Sequence, residues 1–365
     1  MYNNIMKLDS IDLHLDHLPV PVNVDAIVDT TGGEYPAYYT IKDGKLLVCT
    51  SVYQLIGYLG SFELNPEYQY AQDIQFHTQY ITVDKRIKRV MPFEKVTAHT
   101  SEIIFHPTFE KKNVSEYLQD SAKYLVDFVN EIEERYPKKT HIVLTGGKDS
   151  RMMWLIPKKN PEKWVMFCSQ PDLYYVKDWM LNNKIPFPTI YEHDGFPDET
   201  YEFFKKKVIA ADANVELRHA RWMEREVELA KKYNDDVIFW IGDTGFNFNF
   251  NAFSTPAKRD WFDTVNLRAS LYHGTKNQII KNLTNCPRLS MYHSPKIQTE
   301  VFQYFDADLI DKDYRFELAN LIAGRKIVWE NPYQNINWWT YPFDYDVKQI
   351  YLDAIKERIN GRQKA

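Results

Sequence analysis

Cysteine is scarce in this 365-residue chain: Cys49, Cys168 and Cys286 stand far apart and form no pair motif. That spacing excludes a disulfide framework and a Cys-based zinc site. No run approaches the roughly 20 apolar residues that a membrane helix requires. Excess positive charge is missing too. The 45 Lys and Arg face 50 Asp and Glu, a net charge of −5, which argues against a dedicated nucleic-acid binder. The N-terminus, Met1-Tyr-Asn-Asn-Ile-Met-Lys-Leu-Asp9, lacks the basic-then-apolar layout of a signal peptide, so a cytoplasmic protein is expected. The sequence has no internal repeat and no low-complexity tract. What it does have is apolar material: 44% of residues are hydrophobic and 15% aromatic, with 25 Tyr and 21 Phe. A chain of this length with such a composition can bury a sizeable interior, and two domains are the default expectation.

Residues 1–112 read as a smaller β-rich domain. Val22 to Val28 alternates, Tyr38 to Ile41 and Lys45 to Val52 flank the Asp43-Gly44 turn, and Tyr80 to Val83 is another strand candidate. Asp-Gly between β-rich runs is a strong hairpin signal. Residues 113–365 read differently. Apolar residues recur at helical spacing from Val114 to Tyr136 and stop before Pro137. Strands then alternate with helices: His141 to Leu144, a helix from Asp149, Trp164 to Ser169, a helix Leu173 to Asn183, Thr189 to Tyr191, two helices between Glu199 and Tyr233, and Val237 to Ile241. This alternation predicts an α/β fold with a doubly wound parallel sheet, followed by a mostly helical C-terminal part.

The sharpest local signal is Thr145-Gly146-Gly147-Lys148-Asp149-Ser150-Arg151, placed between an apolar strand ending at Leu144 and a helix-competent segment. Two glycines let backbone approach a phosphate, and a helix start offers unpaired N–H groups. Lys148 and Arg151 add positive charge, Thr145 and Ser150 add hydroxyls, and Asp149 suits a magnesium ion bridging phosphate oxygens. No Gly-Lys-Ser/Thr closes the loop, so this is not the Walker pattern. A bare Gly-Gly turn is also how an ordinary strand-to-helix connection looks. Ligands of such sheets bind at the C-terminal strand ends, which brings in Ser169 and the second glycine turn, Gly242-Asp243.

Thr145 to Ser150 matches the Ser-Gly-Gly-x-Asp-Ser pyrophosphate loop of the asparagine-synthetase family, and residues from about 140 to 350 resemble its PP-loop ATP-pyrophosphatase domain. Strand Trp164 to Ser169 resembles the family's nucleotide-reading strand. Val237 to Asp243 resembles its second magnesium turn, and Tyr341-Pro-Phe-Asp344 its late Pro-Phe-Leu-Asp element. Tyr39 to Ile56 and Ile87 to Glu94 resemble parts of its glutaminase-type domain. The resemblance implies ATP on Leu144, Thr145, Gly146, Gly147, Asp149, Ser150, Arg151, Cys168, Ser169 and Gly242, with Mg2+ on Asp149 and Asp243. Lys148, Asp149, Arg325 and Lys326 are the implied catalytic set.

The chain also departs from the family. It begins Met1-Tyr2 rather than with a nucleophilic cysteine, and Cys49 falls in a predicted strand, so no glutamine hydrolysis is expected. Phe246-Asn-Phe-Asn-Phe-Asn251 replaces the acidic pair after the second turn, and Thr340 replaces an arginine. The implied reaction is AMP- and pyrophosphate-forming: a small-molecule or peptide carboxylate becomes an acyl-adenylate and passes to ammonia or an amine. The nitrogen would come from solution, a partner protein or the substrate itself. Two other readings stand beside it. One is another PP-loop enzyme, such as a tRNA-modifying one; the other is a catalytically decayed nucleotide-binding scaffold.

The remaining features have plain readings. His14-Leu-Asp-His17 resembles metal-ligand spacing but reads as polar residues on an exposed N-terminal segment, and Trp338, Trp339 and Tyr341 read as core rather than a ligand platform. Lys205 to Lys207 and Asp84 to Arg89 are solvated charge, and Cys168 is also a packing residue. Arg325-Lys326 after Gly324 is either a helix end or a site for a substrate carboxylate.

Overall fold

The computed structural model describes residues 4–8, 20–33, 36–68, 81–106, 113–170, 172–193, 200–211, 217–242, 268–293, 297, 299, 313–329 and 345–362. The second glycine turn's Asp243, the 246–251 run, the 338–344 segment, His14, His17 and Lys364 lie outside the described residues.

The N-terminal region holds two four-stranded sheets. The first contains β1 (Ile5–Leu8), β3 (Ala26–Asp29), β7 (Glu94–Thr97) and β8 (Ser101–Ile103) in the order β1-β3-β7-β8. The second contains β2 (Val22–Val24), β4 (Tyr38–Lys42), β5 (Lys45–Cys49) and β6 (Lys88–Arg89) in the order β2-β5-β4-β6. The strand expected over Val22 to Val28 therefore breaks at Asp25 and supplies one strand to each sheet. At the break, the Asp25 carboxylate accepts a hydrogen bond from the Asn4 backbone at 3.1 Å. The β4–β5 hairpin forms on Asp43 and Gly44, both at positive φ (52° and 72°), as a twisted two-residue hairpin turn demands. Helix α1 (Val52–Leu59) follows, capped by Ser51 and ended by left-handed Gly60.

Helix α2 (Val114–Arg135) starts at Asn113, whose side chain accepts from the Ser115 backbone at 2.8 Å. A five-stranded, all-parallel sheet comes next, made of β9 (Thr140–Leu144), β10 (Trp164–Ser169), β11 (Thr189–His193), β12 (Val237–Ile241) and β13 (Arg288–Ser290). Its order is β11-β10-β9-β12-β13. The chain first steps outward from β9 to β11 and then returns to the other side of β9, so strand order reverses between β9 and β12. The fifth strand was not foreseen: three residues between a helix and a turn give too short a pattern to read.

Helices lie on both faces, and the strand alternation shows why. Val143, Trp164, Met166, Cys168, Ile238 and Trp240 face a core shared with α2, α4 (Asp172–Asn182) and α8 (Arg315–Ala323). The alternate residues Ile142, Val165, Val237 and Phe239 face α5 (Tyr201–Ala210), α6 (Leu217–Lys232), α7 (Arg268–Thr284) and α9 (Val347–Arg362). Such near-continuous apolar strands are what a sheet covered on both sides requires. The second core also takes in Tyr38, Leu47 and α1 of the N-terminal region, and the Tyr38 hydroxyl donates to Gln278 of α7 at 2.9 Å. No helix among the described residues is long and apolar enough to cross a membrane.

Two charge clusters expected to be solvated are partly interior. Lys207 is buried, paired with Glu224 and set over the Phe203 ring. Asp84 is buried and clasped by Arg86 at 2.6 Å, and Arg89 is buried with its guanidinium donating to the Gly33 carbonyl at 3.3 Å. For Lys207 and Arg89 a partner distant in sequence replaces water; for Asp84 the partner is Arg86 two residues on, joined by the Glu63 N–H at 3.0 Å.

His141 is stacked on Trp164 (4.5 Å between centroids, 16°), and its Nδ1 accepts from Trp240 Nε1 at 3.0 Å. Burial pushes its pKa down to about 4. An unfolded histidine titrates near 6.5, so between those values the unfolded chain binds more protons than the folded one. Stability is fully present above pH 6.5 and is lost as pH falls toward 4, by about 3 kcal/mol from this one group. Urea unfolding across that range is expected to show the slope, and His141→Phe is expected to flatten it.

Candidate functional site

The Thr145 to Ser150 turn leaves the C-terminal end of β9 at the point where strand order reverses. Thr145 still belongs to the ladder, its N–H donating to the Phe167 carbonyl at 2.8 Å. Its hydroxyl is also engaged, donating to the Val143 carbonyl at 3.2 Å and accepting from Trp154 Nε1 at 2.9 Å. Ser150 closes the turn from within: its Oγ accepts from the Gly146 N–H at 2.9 Å and donates to the Gly147 carbonyl at 3.1 Å. The helix expected here is one α-helical turn, α3 (Lys148–Arg151), that tightens into a 3₁₀ turn over Met152–Leu155. So short a helix contributes little dipole, and the turn's positive character rests on its side chains.

Gly242, directly after β12, packs its Cα against this turn. A Cβ there would stand 2.5 Å from the Ser150 nitrogen and 3.0 Å from the Asp149 carbonyl carbon. Backbone meets backbone, and only glycine permits it.

Arg151 lies beneath the turn, 1% exposed, with Nε donating to the Gly146 carbonyl at 2.9 Å. Its Nη1 and Nη2 have no hydrogen-bond partner among the described residues. Burial lowers its pKa, against the attraction of Asp172. Cys168 sits nearby at the end of β10, 1% exposed, its thiol pushed up to about 12 by burial. A thiol so placed packs and does not react. Ser169, the last residue of β10, is half-buried.

Asp149 points toward α8. Arg315 Nη1 donates to its two oxygens at 3.0 and 3.3 Å, while the same guanidinium holds Asp313 through Nε and Nη2, both at 2.8 Å. Lys148 Nζ stands 3.6 Å from Asp313 and 4.5 Å over the Phe316 ring. The Tyr292 hydroxyl donates to the Asp149 carbonyl at 2.8 Å. Two cations and two carboxylates thus form one neutral cluster. Burial raises the Asp149 carboxyl above its usual range, with Arg315 opposing. Asp313 is also penalised by burial, but its hydrogen bonds and charge contact with Arg315 hold it below that range. Tyr292, Asp313 and Arg315 were not foreseen. They lie 143 to 166 residues from Asp149, and Asp-x-Arg at a helix start is too common a pattern to flag.

Arg325 and Lys326 follow the left-handed Gly324 that ends α8. Both are exposed, and Arg325 Nη2 donates to the Asn183 carbonyl just past α4. That position is on the side where the chain enters β11, the sheet edge opposite the turn. The structure therefore brings Leu144, Thr145, Gly146, Gly147, Lys148, Asp149, Ser150, Arg151 and Gly242 together, and leaves Arg325 apart from them.

Lys148 is the turn's cation toward an anion; the Gly146 amide is taken by Ser150, and the buried Arg151 guanidinium has two nitrogens without a hydrogen-bond partner among the described residues. A magnesium ion finds Asp149 with its oxygens on Arg315, and no group of three metal-capable side chains exists among the described residues. No family model matches the chain. A 76-residue stretch, 20% of the chain, is 36% identical to an NFX1-type zinc finger-containing protein 1 homolog of Caenorhabditis elegans. The matched stretch spans 3% of that protein.

Proposed function

We propose that this chain is a cytoplasmic, ATP-dependent ligase of the PP-loop type that forms amide bonds, releases AMP and pyrophosphate, and has no glutaminase activity. One observation carries the reading. A glycine turn bearing Lys148, Asp149 and Arg151 lies at the strand-order reversal of a parallel sheet, with Gly242 packed on its backbone. The strand order and the helices on both faces agree with a doubly wound PP-loop fold. The turn's amides, Lys148, Ser150 and Arg151 would hold the phosphates. Magnesium would be held by Asp149, once its carboxylate leaves Arg315, and by Asp243, which lies outside the described residues, and would supply charge neutralisation on phosphate oxygens. A carboxylate oxygen would bond to the α-phosphorus as pyrophosphate leaves with the electron pair. An amine would then attack the acyl carbon, lose a proton and release AMP. The residues act electrostatically, through donors fixed before the negative charge arrives.

A second reading, a nucleotide-binding scaffold without turnover, draws on the Asp149–Arg315 pair and on the internally committed hydroxyls of Thr145 and Ser150. Thermal unfolding with magnesium and ATP, AMP or pyrophosphate separates the possibilities. ATP at about 100 times its dissociation constant adds roughly 2.7 kcal/mol, and Asp149→Ala is expected to abolish that gain. Stabilisation without AMP release across a panel of carboxylates and amines would favour the scaffold. No stabilisation at all would sink both readings.

A further inference from the structure

A cleft of about 350 Å³ opens where the chain enters β10 and β11, at the sheet edge opposite the glycine turn. Its walls come from three places: the segment after α3, the connection from α4 to β11, and the end of α8. Phe187 supplies the exposed aromatic surface, with Trp154 and Trp164 buried beneath the lining, and Lys158, Lys184 and Arg325 supply the charge. The rest of the lining is proline, isoleucine, leucine and alanine; no acidic side chain takes part among the described residues. The volume lies within the range of small-molecule sites, which are mostly apolar with a few convergent polar groups.

The walls are pinned. Asn183, buried between them, donates from Nδ2 to the Val328 carbonyl and accepts the Val328 N–H, both at 2.8 Å. On the other side, buried Glu133 of α2 accepts the backbone N–H groups of Lys159 (3.1 Å) and Asn160 (2.6 Å). Lys158 Nζ donates to the Met153 carbonyl at 2.6 Å and lies 4.1 Å over the Trp164 ring. Burial pushes this amine down to about 7, with Glu133 opposing. A poorly solvated ammonium of this kind gains from an added anion.

We infer that this cleft is a second binding site, for a small aromatic or apolar monocarboxylate whose ring packs on Phe187 and the neighbouring prolines, above the buried Trp154 and Trp164, while its carboxylate meets Lys158, Lys184 and Arg325. Lys184 and Arg325, with the Lys158 amine taking up a proton as a carboxylate binds, and no lining acid among the described residues, select against neutral and cationic ligands. The mostly apolar walls of this open cleft select for a hydrophobic body over a bare inorganic anion. The site stands independently of the ATP reading, because it shares no lining residue with the glycine turn.

Titration calorimetry on the intact chain tests it with indole-3-propionate and its neutral amide, which match in size and differ in charge. The expected result is one-to-one binding of the carboxylate, at least tenfold tighter than the amide and undiminished by saturating ATP. Arg325→Gln and Lys158→Met should each weaken the carboxylate at least fivefold and leave the amide unchanged. Circular dichroism checks the fold, and Lys184→Gln, on the exposed rim, serves if either variant misfolds. No binding of the carboxylate, equal affinity for the two probes, or variants that bind as wild type does would each overturn the assignment.

Discussion

Arg315→Ala is expected to destabilise the chain by about 3 kcal/mol, the lower end of the cost of removing one partner from a buried ion pair. The side chains of Arg315, Asp149 and Asp313 are only 12%, 25% and 15% exposed. Without the guanidinium two carboxylates share the crevice with Lys148 as the paired cation among the described residues, and Lys148 already lies 3.6 Å from Asp313. Charge left unpaired in a partly dry site cannot recover its solvation, so the loss exceeds what an exposed pair would show. Denaturant unfolding of Arg315→Ala, Asp149→Asn and the double variant measures it. The double variant should recover part of the loss, because the unpaired charge is gone, and strict additivity would contradict the direct pairing. Magnesium should stabilise Arg315→Ala more than wild type if Asp149 is a metal ligand, since the competing cation has been removed.

Gly242→Ala is expected to cost about 3 kcal/mol, the upper part of the range for overpacking, and to weaken ATP binding at least a hundredfold. The added carbon meets backbone atoms, Ser150 N at 2.5 Å and Asp149 C at 3.0 Å. A side chain could rotate away from such a contact. This backbone is tied by the Ser150 bonds to Gly146 and Gly147 and by Tyr292 on the Asp149 carbonyl. The turn must therefore shift as a unit, and the amides that would meet phosphate shift with it. Unfolding curves give the first quantity, and ATP titration monitored by thermal shift gives the second. A variant with native stability and native ATP response would show that the turn yields freely, contrary to its hydrogen bonding.

Much of the framework was legible because it is written locally. The apolar periods of α2, β10 and β12 and the Asp43-Gly44 hairpin need only neighbours in sequence to be read. Helix α3 was misjudged because propensity favoured a full helix from Asp149, whereas packing of Trp154 back onto Thr145 tightens the chain into a 3₁₀ turn. Lys207, Asp84 and Arg89 were misjudged for a related reason. The surroundings of Lys207 and Arg89 come from Glu224 and the Gly33 carbonyl, which spacing along one segment does not reveal; Asp84 pairs with its neighbour Arg86, but its burial against Glu63 is set by tertiary structure.

The sequence by itself determined the alternation of strands and helices, the glycine turn after β9, the scarcity of cysteine and the lack of excess positive charge, because each depends on residues close together in the chain or on composition alone. Tertiary structure decided what the turn's side chains face. Asp149 meets Arg315 across 166 residues, Gly242 supplies the bare backbone against Ser150, and Arg325 lies in a cleft at the opposite edge. Those outcomes depend on which strand ends become neighbours. Sheet order, set by burying apolar strands between two layers of helices, cannot be read from any one segment.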